Sequence, residues 1–482
     1  MTSPATDPLY LQLSDRIAAA IRRGTLAPGD RLPSVRQCAR EQSLSVSTVL
    51  QAYHHLEDAR LIEARPKSGY FVAAAARRLA EPELSAPPAD SLAVDVATLA
   101  ERVMQSASDP QIVSLGAACP EAGLFSQDKL RRALSQATLR HRAQLCQYPQ
   151  VPGEDALRRA IARRALPLGC TLDPREIVLT NGCTEAVALC LQTVTQPGDI
   201  VALESPTSFG FLQILEALHL RALEIPTHPR HGLSVEALAF ALQTQAVRAL
   251  VAVPTLSNPL GASMPLAERR RLAQLLAEHQ IPLIEDAIYN DLAERDEHRR
   301  TVKSFDTEGL VMLCSSFSKT LAPGLRSGWV EAGRFGAPLR RLKAALAGGH
   351  TSVTELALAD LLQQPGYEPG LRRLRQAVSH RVAEARGLIA EAFPRGTRVT
   401  NPPGGIMLWV ELPQEIDSLA LYKACLDEHI CIAPGTMFSA TDRYRHFIRL
   451  SVGRWTDAER RALLRIGEIA HTMQRAALPM AA

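Results

Sequence analysis

A break rich in alanine, arginine and proline at residues 73–88 most constrains this chain, because it separates two blocks of different periodicity. Four alanines, Arg77-Arg78, and then Pro82, Pro87 and Pro88 interrupt any continuous helical or strand pattern, so the stretch reads as a linker. The block behind it alternates helical and strand-like patterns in the manner of an α/β domain. At 482 residues the chain is too long for one ordinary domain. We expect a first domain over residues 1–75, a linker over 76–108 and a second domain over 109–476.

Composition narrows the setting. Apolar residues make up 46% and aromatics 5%, so a large core has to be built from Ala, Leu, Val and Ile. The nine cysteines are odd in number, scattered from Cys38 to Cys431 and without a Cys-x-x-Cys pair, which argues against disulfides and zinc. No metal is expected, and a reducing, cytoplasmic location is. The polar start Met1-Thr2-Ser3-Pro4 lacks a signal-type apolar region, and no apolar run approaches the roughly 18 residues of a spanning helix, so no membrane partner is expected.

In the first block Leu13, Ile17, Ala20 and Ile21 keep the spacing of one helical face. Ser34 can cap a second helix while Gln37, three residues on, reaches back to it, the pattern of a capping box. Ser45 can cap a third helix, with Val46, Val49, Leu50, Tyr53 and Leu56 on or near one face and Ser47, Thr48 and Gln51 pointing elsewhere. Residues 61–65, the turn Pro66-Lys67-Ser68-Gly69 and Tyr70-Phe71-Val72 read as a small hairpin with a basic tip. Three helices and a basic hairpin make a winged helix-turn-helix, whose third helix enters the major groove of double-stranded DNA while wing and helix termini hold phosphates. The expected DNA contacts are Ser34, Arg36, Ser45, Ser47, Thr48, Arg65, Lys67 and Gly69. Nine Lys and Arg against seven Asp and Glu in residues 1–75 leave only +2, so phosphate attraction has to be local to the wing and Arg36. Protein docking is the alternative use of such a unit.

The runs Leu32-Pro33-Ser34-Val35-Arg36, Ser45-Val46-Ser47-Thr48-Val49 with Ala52-Tyr53, and Lys67-Ser68-Gly69-Tyr70-Phe71-Val72 resemble the GntR-type winged helix of bacterial repressors and activators over residues 8–72. Many members of that family place arginine directly after the serine that opens the third helix. Here Val46 stands there, without a guanidinium for a guanine contact.

In the second block apolar strands end in polar clusters. Residues 177–179 lead to Thr180-Asn181-Gly182-Cys183-Thr184, where a glycine lets helix amides approach an anion. Residues 249–253 lead to Asn258-Pro259-Leu260-Gly261, residues 282–284 to Glu285-Asp286 and Tyr289, and residues 310–314 to Ser316, Ser318 and Lys319 with Arg326 beyond. Ligands of open α/β sheets gather at the carboxyl ends of strands, so these clusters should converge. There is no Walker lysine motif and no Gly-x-Gly-x-x-Gly, which speaks against ATP and NAD.

The expected crevice suits pyridoxal 5'-phosphate, which needs a lysine, a carboxylate for the ring nitrogen, donors for the ring oxygen and a phosphate cup. Lys319 would supply the imine, Asp286 the pyridinium partner, and Asn258 and Tyr289 the ring-oxygen bonds. Gly182, Cys183, Thr184, Ser316, Ser318 and Arg326 would hold the phosphate. Each alone has a plain alternative, such as a surface lysine, a helix cap or a turn former.

These motifs, in order and spacing, resemble the fold type I aminotransferases of class I/II over about residues 110–470. The resemblance implies a large α/β domain with a mixed, mostly parallel sheet, a small C-terminal α+β subdomain, and an internal aldimine at Lys319. It also implies that Tyr148 reaches the phosphate of a second copy in a homodimer, in one arrangement head-to-tail, and that Arg449 in Phe447-Ile448-Arg449-Leu450-Ser451 grips a substrate carboxylate. After Glu204-Ser205-Pro206-Thr207 such proteins usually carry a ring-stacking aromatic. Here Ser208 stands in that place, with Phe209 next to it.

A GntR-type reader joined to such a body resembles the MocR group of bacterial transcriptional regulators. The resemblance implies a regulator in which pyridoxal phosphate, and an amino compound exchanging onto it, alters operator binding; residual transaminase activity is compatible with that. Effector candidates are pyridoxal phosphate itself, amino acids, GABA-like amines and taurine-like compounds. The alternative is an active aminotransferase with an accessory N-terminal domain.

Overall fold

The computed structural model describes residues 8–23, 25–27, 29–58, 61–65, 68–72 and 79–477, and the chain divides into two compact units, residues 1–78 and 79–482. Lys67 and Pro66 of the expected wing tip, and residues 73–78 of the expected linker, lie outside the described residues.

The first unit is α1 (Leu9–Arg22), α2 (Val35–Glu41), α3 (Val46–Asp58) and an antiparallel hairpin of β1 (Ile62–Arg65) and β2 (Gly69–Val72). Arg31 forms an isolated antiparallel bridge to Phe71, which adds a third segment to the wing. Leu13, Leu32, Cys38, Val49, Tyr53, Leu56, Ile62 and Val72 close one core, and the Tyr53 hydroxyl donates to the Pro33 carbonyl at 2.8 Å. Ser34 caps α2 by accepting the Gln37 amide at 3.3 Å, a bond of about 1 kcal/mol. The other half of the expected capping box does not form, because Gln37 donates its side chain forward to Glu41 at 2.8 Å.

The expected apolar face of α3 is also corrected. Val46 is 52% exposed and Leu50 40%, whereas Val49, Ala52, Tyr53 and Leu56 are buried. At about 100° per residue, Ala52 and Leu56 draw the packed face to one side and leave Val46 and Leu50 at its margin.

The larger unit is built on a mixed sheet whose strands run, in spatial order, Leu92–Ala93, Arg221–His228, Ile200–Ser205, Val247–Ala252, Leu283–Asp286, Val311–Ser316, Gly328–Glu331 and Ile177–Thr180. The five from Arg221–His228 to Val311–Ser316 pair in parallel, and Gly328–Glu331 is antiparallel to both its neighbours. The strands are near-continuous Val, Ile, Leu and Ala runs because helices cover both sheet faces. A second, antiparallel sheet orders Arg398–Val399, Met407–Glu411, Phe447–Ser451 and Ala433–Pro434, and packs with helices Ser418–Asp427 and Asp457–Ala477 on a separate core.

From residue 79 on, the stretch read as linker belongs to the larger unit. Ala80 and Glu81 accept the amides of Val399 and Asn401 at 2.8 and 2.9 Å, Ser85 bonds the Thr227 amide at 2.8 Å, and Leu92–Ala93 pairs with the sheet edge. Helix Ala97–Ser108 then buries Ala100 and Val103. Proline forbids a helix in residues 82–88, but an extended strap satisfies its backbone on an edge strand equally well.

Candidate functional site

The carboxyl ends of the parallel strands open onto a cavity of about 500 Å3, to which Phe447–Ser451 of the second sheet adds Arg449. Lys319 follows the end of Val311–Ser316, Asp286 ends Leu283–Asp286, and Tyr289 lies three residues on. Asn258 comes from the loop after Val247–Ala252, and Cys183 and Thr184 from the first turn of helix Gly182–Val194. All of these line the cavity, together with Phe209.

Asp286 is buried, and its Oδ1 accepts the Ile288 amide at 2.9 Å and the Cys183 thiol at 3.2 Å. Burial pushes its carboxyl up to about 6 in spite of those bonds. Lys319 donates to the Ala118 carbonyl at 2.5 Å, and desolvation pushes its amine below the ordinary lysine range. Burial likewise raises the Tyr289 phenol and lowers Arg449 to about 10. Arg449 donates to Asn258 Oδ1 at 3.2 Å and to the Gly116 carbonyl, while its buried Nε has no hydrogen-bond partner among the described residues. Asn258 Nδ2 is 3.2 Å from Ser208 Oγ.

Gly182 opens its helix at φ +80°, and a Cβ there would stand 2.7 Å from the Arg326 guanidinium. Arg326 takes φ +49°, a left-handed conformation that costs about 1–2 kcal/mol outside glycine. The amide end of the strand-fed helix Gly182–Val194 and a cation thus face each other across a residue that only glycine can fill.

In the first unit, Ser45 Oγ accepts the Thr48 amide at 3.0 Å and lies 2.8 and 2.7 Å from the hydroxyls of Ser47 and Thr48. These three form one network at the start of α3, beside exposed Val46. Arg36 is exposed, and Arg65 pairs with Glu63 at 2.7 Å while its guanidinium lies 4.4 Å over Phe71. Gly69 turns the wing at φ +101°.

Residues 119–466 match the family Aminotransferase class I and II, and residues 9–72 match Bacterial regulatory proteins, gntR family. The chain belongs to both families, joined in the MocR-type order. Two HTH-type transcriptional regulators of Escherichia coli (strain K12), YjiR and YdcR, are 36% and 37% identical to this MocR-type chain over 95% of its length and 98% of theirs. The kynurenine aminotransferase of Pyrococcus horikoshii is similar in structure, at 25% identity and a TM-score of 0.72, with 79% of this chain and 95% of that one covered. Among the described residues no helix is long and apolar enough to cross a membrane.

The MocR-type body brings together Lys319, Asp286, Tyr289, Asn258, Cys183, Thr184, Phe209 and Arg449 of the expected residues. Gly182 and Arg326 sit at the helix terminus beside them. Ser316 and Ser318 bond each other, with the Ser318 amide 3.3 Å from Ser316 Oγ, and Ser316 lines a separate small cavity. Tyr148 is 93% exposed and outside the cavity lining. Ala117, Ala118 and Cys119 form a wall that sequence reading missed, because they lie in a short coil without periodicity. Ser208, noted only as a missing aromatic, is a hydrogen-bond partner of Asn258.

Proposed function

We propose that this chain is a cytoplasmic transcriptional regulator whose aminotransferase-like domain holds pyridoxal phosphate at Lys319 and senses an amino compound there. The observation that carries the reading is the meeting of Lys319, Asp286, Asn258, Tyr289 and Arg449 in one cavity. The donor set suits the cofactor. A buried carboxyl poised near 6 is favoured as the anion by an adjacent pyridinium, the bare Gly182 lets the Arg326 guanidinium lie against the helix amides so that both can face one phosphate, and the Arg449 Nε, unpartnered among the described residues, awaits an acceptor.

Bound pyridoxal phosphate supplies an electron sink for charge that develops on an attached amine. The chain's own residues do the rest. Lys319 presents at Nζ an amine that desolvation favours as neutral, able to attach and to carry a proton. Asp286 would hold a proton at the ring nitrogen, and Asn258 and Tyr289 would bond the ring oxygen. The amides of residues 182–184, with Thr184, Ser316, Ser318 and Arg326, would hold the phosphate, joined by Tyr148 from the second copy of a homodimer. Phe209 would flank the ring where Ser208 leaves space, and Arg449 would take a carboxylate of the effector.

An amino compound that displaces Lys319 regulates only through different affinity for two arrangements of the dimer. Residues 73–108 would pass that difference to the winged helices, and the spacing of DNA half-sites would read it out. The reader would use Ser34, Arg36, Ser45, Ser47, Thr48, Arg65, Lys67 and Gly69.

Borohydride treatment followed by mass spectrometry is expected to place one cofactor adduct on Lys319, with none in Lys319→Ala. A footprint on the DNA beside its own gene is expected to change when an amino effector is added. Adduct-free protein overturns the sensor, and rapid multiple-turnover transamination without a specific DNA site would favour an enzyme instead.

A further inference from the structure

Apart from the cofactor cavity, the larger unit holds a second one of about 460 Å3 whose wall is dominated by arginine. Helix Asp155–Ala165 brings Arg163 and Arg164 to it from its last turn. The segment beyond Tyr289 adds Asp291 and Arg299, and helix Tyr367–Ala392 adds Glu368 and Arg375. Four guanidinium groups therefore face two carboxylates.

Both carboxylates are already engaged by one arginine. Arg164 lies 2.7 Å from Asp291 and 2.6 Å from Glu368. Arg299 pairs with Asp296 at 3.1 Å, a carboxylate whose side chain is 91% exposed and so strongly screened. Arg163 is exposed and has no ion pair among the described residues. Arg375 is the telling residue. It is 8% exposed, donates Nε–H to the Asp291 carbonyl at 2.6 Å, and has no carboxylate within ion-pairing distance among the described residues. A buried cation satisfied only by a carbonyl is costly, and burial followed by the nearness of Arg299 pushes its pKa down.

We propose that this cavity is an anion-binding site for a phosphorylated small molecule, with Arg375 and Arg163 supplying the forks that receive the phosphate. The planar, multiply donating guanidinium matches phosphate oxygens better than a point charge does. A dianionic group balances the two guanidinium charges that the carboxylates leave over. The phosphates of a DNA duplex do not reach past exposed Arg163 to the rest of the cluster, since Arg375 is almost wholly buried and the Arg299 and Arg164 side chains are only 14% and 19% exposed.

The site stands close to the cofactor residues without using them. Asp291 follows Tyr289 by two positions, and the Arg164 guanidinium lies 4.4 Å over the Tyr367 ring, which lines an adjoining cavity with Thr320, the residue after Lys319. A phosphate that draws on Arg164 shifts that stack. The regulator thereby gains an input independent of amine exchange at Lys319.

Isothermal calorimetry of full-length protein, with inorganic pyrophosphate as the probe, tests the site. One pyrophosphate per chain is expected, with Kd at least tenfold weaker in Arg375→Met and in Arg163→Glu, and full affinity kept in Arg326→Ala at the cofactor's phosphate position. Arg163 is exposed, so its variant keeps the test open where loss of buried Arg375 impairs folding. No binding, equal affinity in Arg163→Glu, or loss of binding in Arg326→Ala instead would each overturn the proposal.

Discussion

The thiol of Cys183 donates to Asp286 Oδ1 across 3.2 Å, inside the same cavity that Lys319 lines. That bond and the Ile288 amide favour the carboxylate, while burial favours the acid and lifts Asp286 from 3.8 to about 6. A raised acid stabilises the cofactor-free fold fully below about 3.8 and loses that contribution as pH climbs through about 6. A pyridinium placed beside it reverses the preference.

The melting-temperature gain from pyridoxal phosphate is therefore expected to grow between pH 5 and pH 7.5. Cys183→Ala, which removes one donor to the carboxylate, moves the midpoint of that gain upward, and Cys183→Ser, which keeps a donor, moves it less. Scanning fluorimetry with and without cofactor across this range reads the midpoint. A gain that is flat with pH would remove Asp286 from the role assigned to it.

Glu204 is 2% exposed and accepts the Val253 amide at 2.9 Å, yet burial raises its carboxyl from 4.5 to about 8. Its stabilising contribution is complete below the unfolded value near 4.5 and disappears as pH rises through about 8. Glu204→Gln retains an acceptor for Val253 and cannot ionise. The variant is expected to gain on the native chain with rising pH, by on the order of a few kcal/mol at pH 8. Urea unfolding at pH 5 and pH 8 gives the comparison, and an unchanged gap between the two proteins would count against it.

Gly182→Ala forces a side chain into φ +80° and a Cβ to within 2.7 Å of the Arg326 guanidinium. The backbone strain is about 1 kcal/mol, and the arginine has to swing off the helix terminus. Cofactor retention on dialysis, followed by absorbance, is expected to fall about tenfold while the fold survives. Gly328→Ala is expected to be worse, because its Cβ would meet the Gly182 backbone at 2.5 Å, where nothing flexible can yield.

That these residues converge on one cavity was legible because they lie just past apolar runs that only a buried parallel sheet explains. Lys319, Asp286 and Asn258 each stand at such an exit, and Arg449 lies in a strand of the second sheet. What escaped was set by contacts distant in sequence. The wall of Ala117, Ala118 and Cys119 has no period to detect, and the Cys183–Asp286 bond joins residues 103 positions apart. Residues 79–108 looked like a linker because proline rules out a helix without revealing whether an edge strand is within reach. Val46 and Leu50 satisfied a helical spacing but fell outside the arc that Ala52 and Leu56 bury.

Arg65 is held on the wing by Glu63 at 2.7 Å and by the face of Phe71 at 4.4 Å, so its guanidinium is presented in one place rather than waving in solvent. Each phosphate neutralised by such a cation contributes about 0.9 to the slope of log K against log salt. Arg65→Ala is expected to lower that slope by about one unit and to weaken all DNA sequences alike. Glu63→Gln frees the same guanidinium from its carboxylate and is expected to tighten non-specific binding. Fluorescence anisotropy over a salt series, on one specific and one random duplex, separates the two effects. A sequence-selective loss in Arg65→Ala would mean that the wing reads bases and not the backbone.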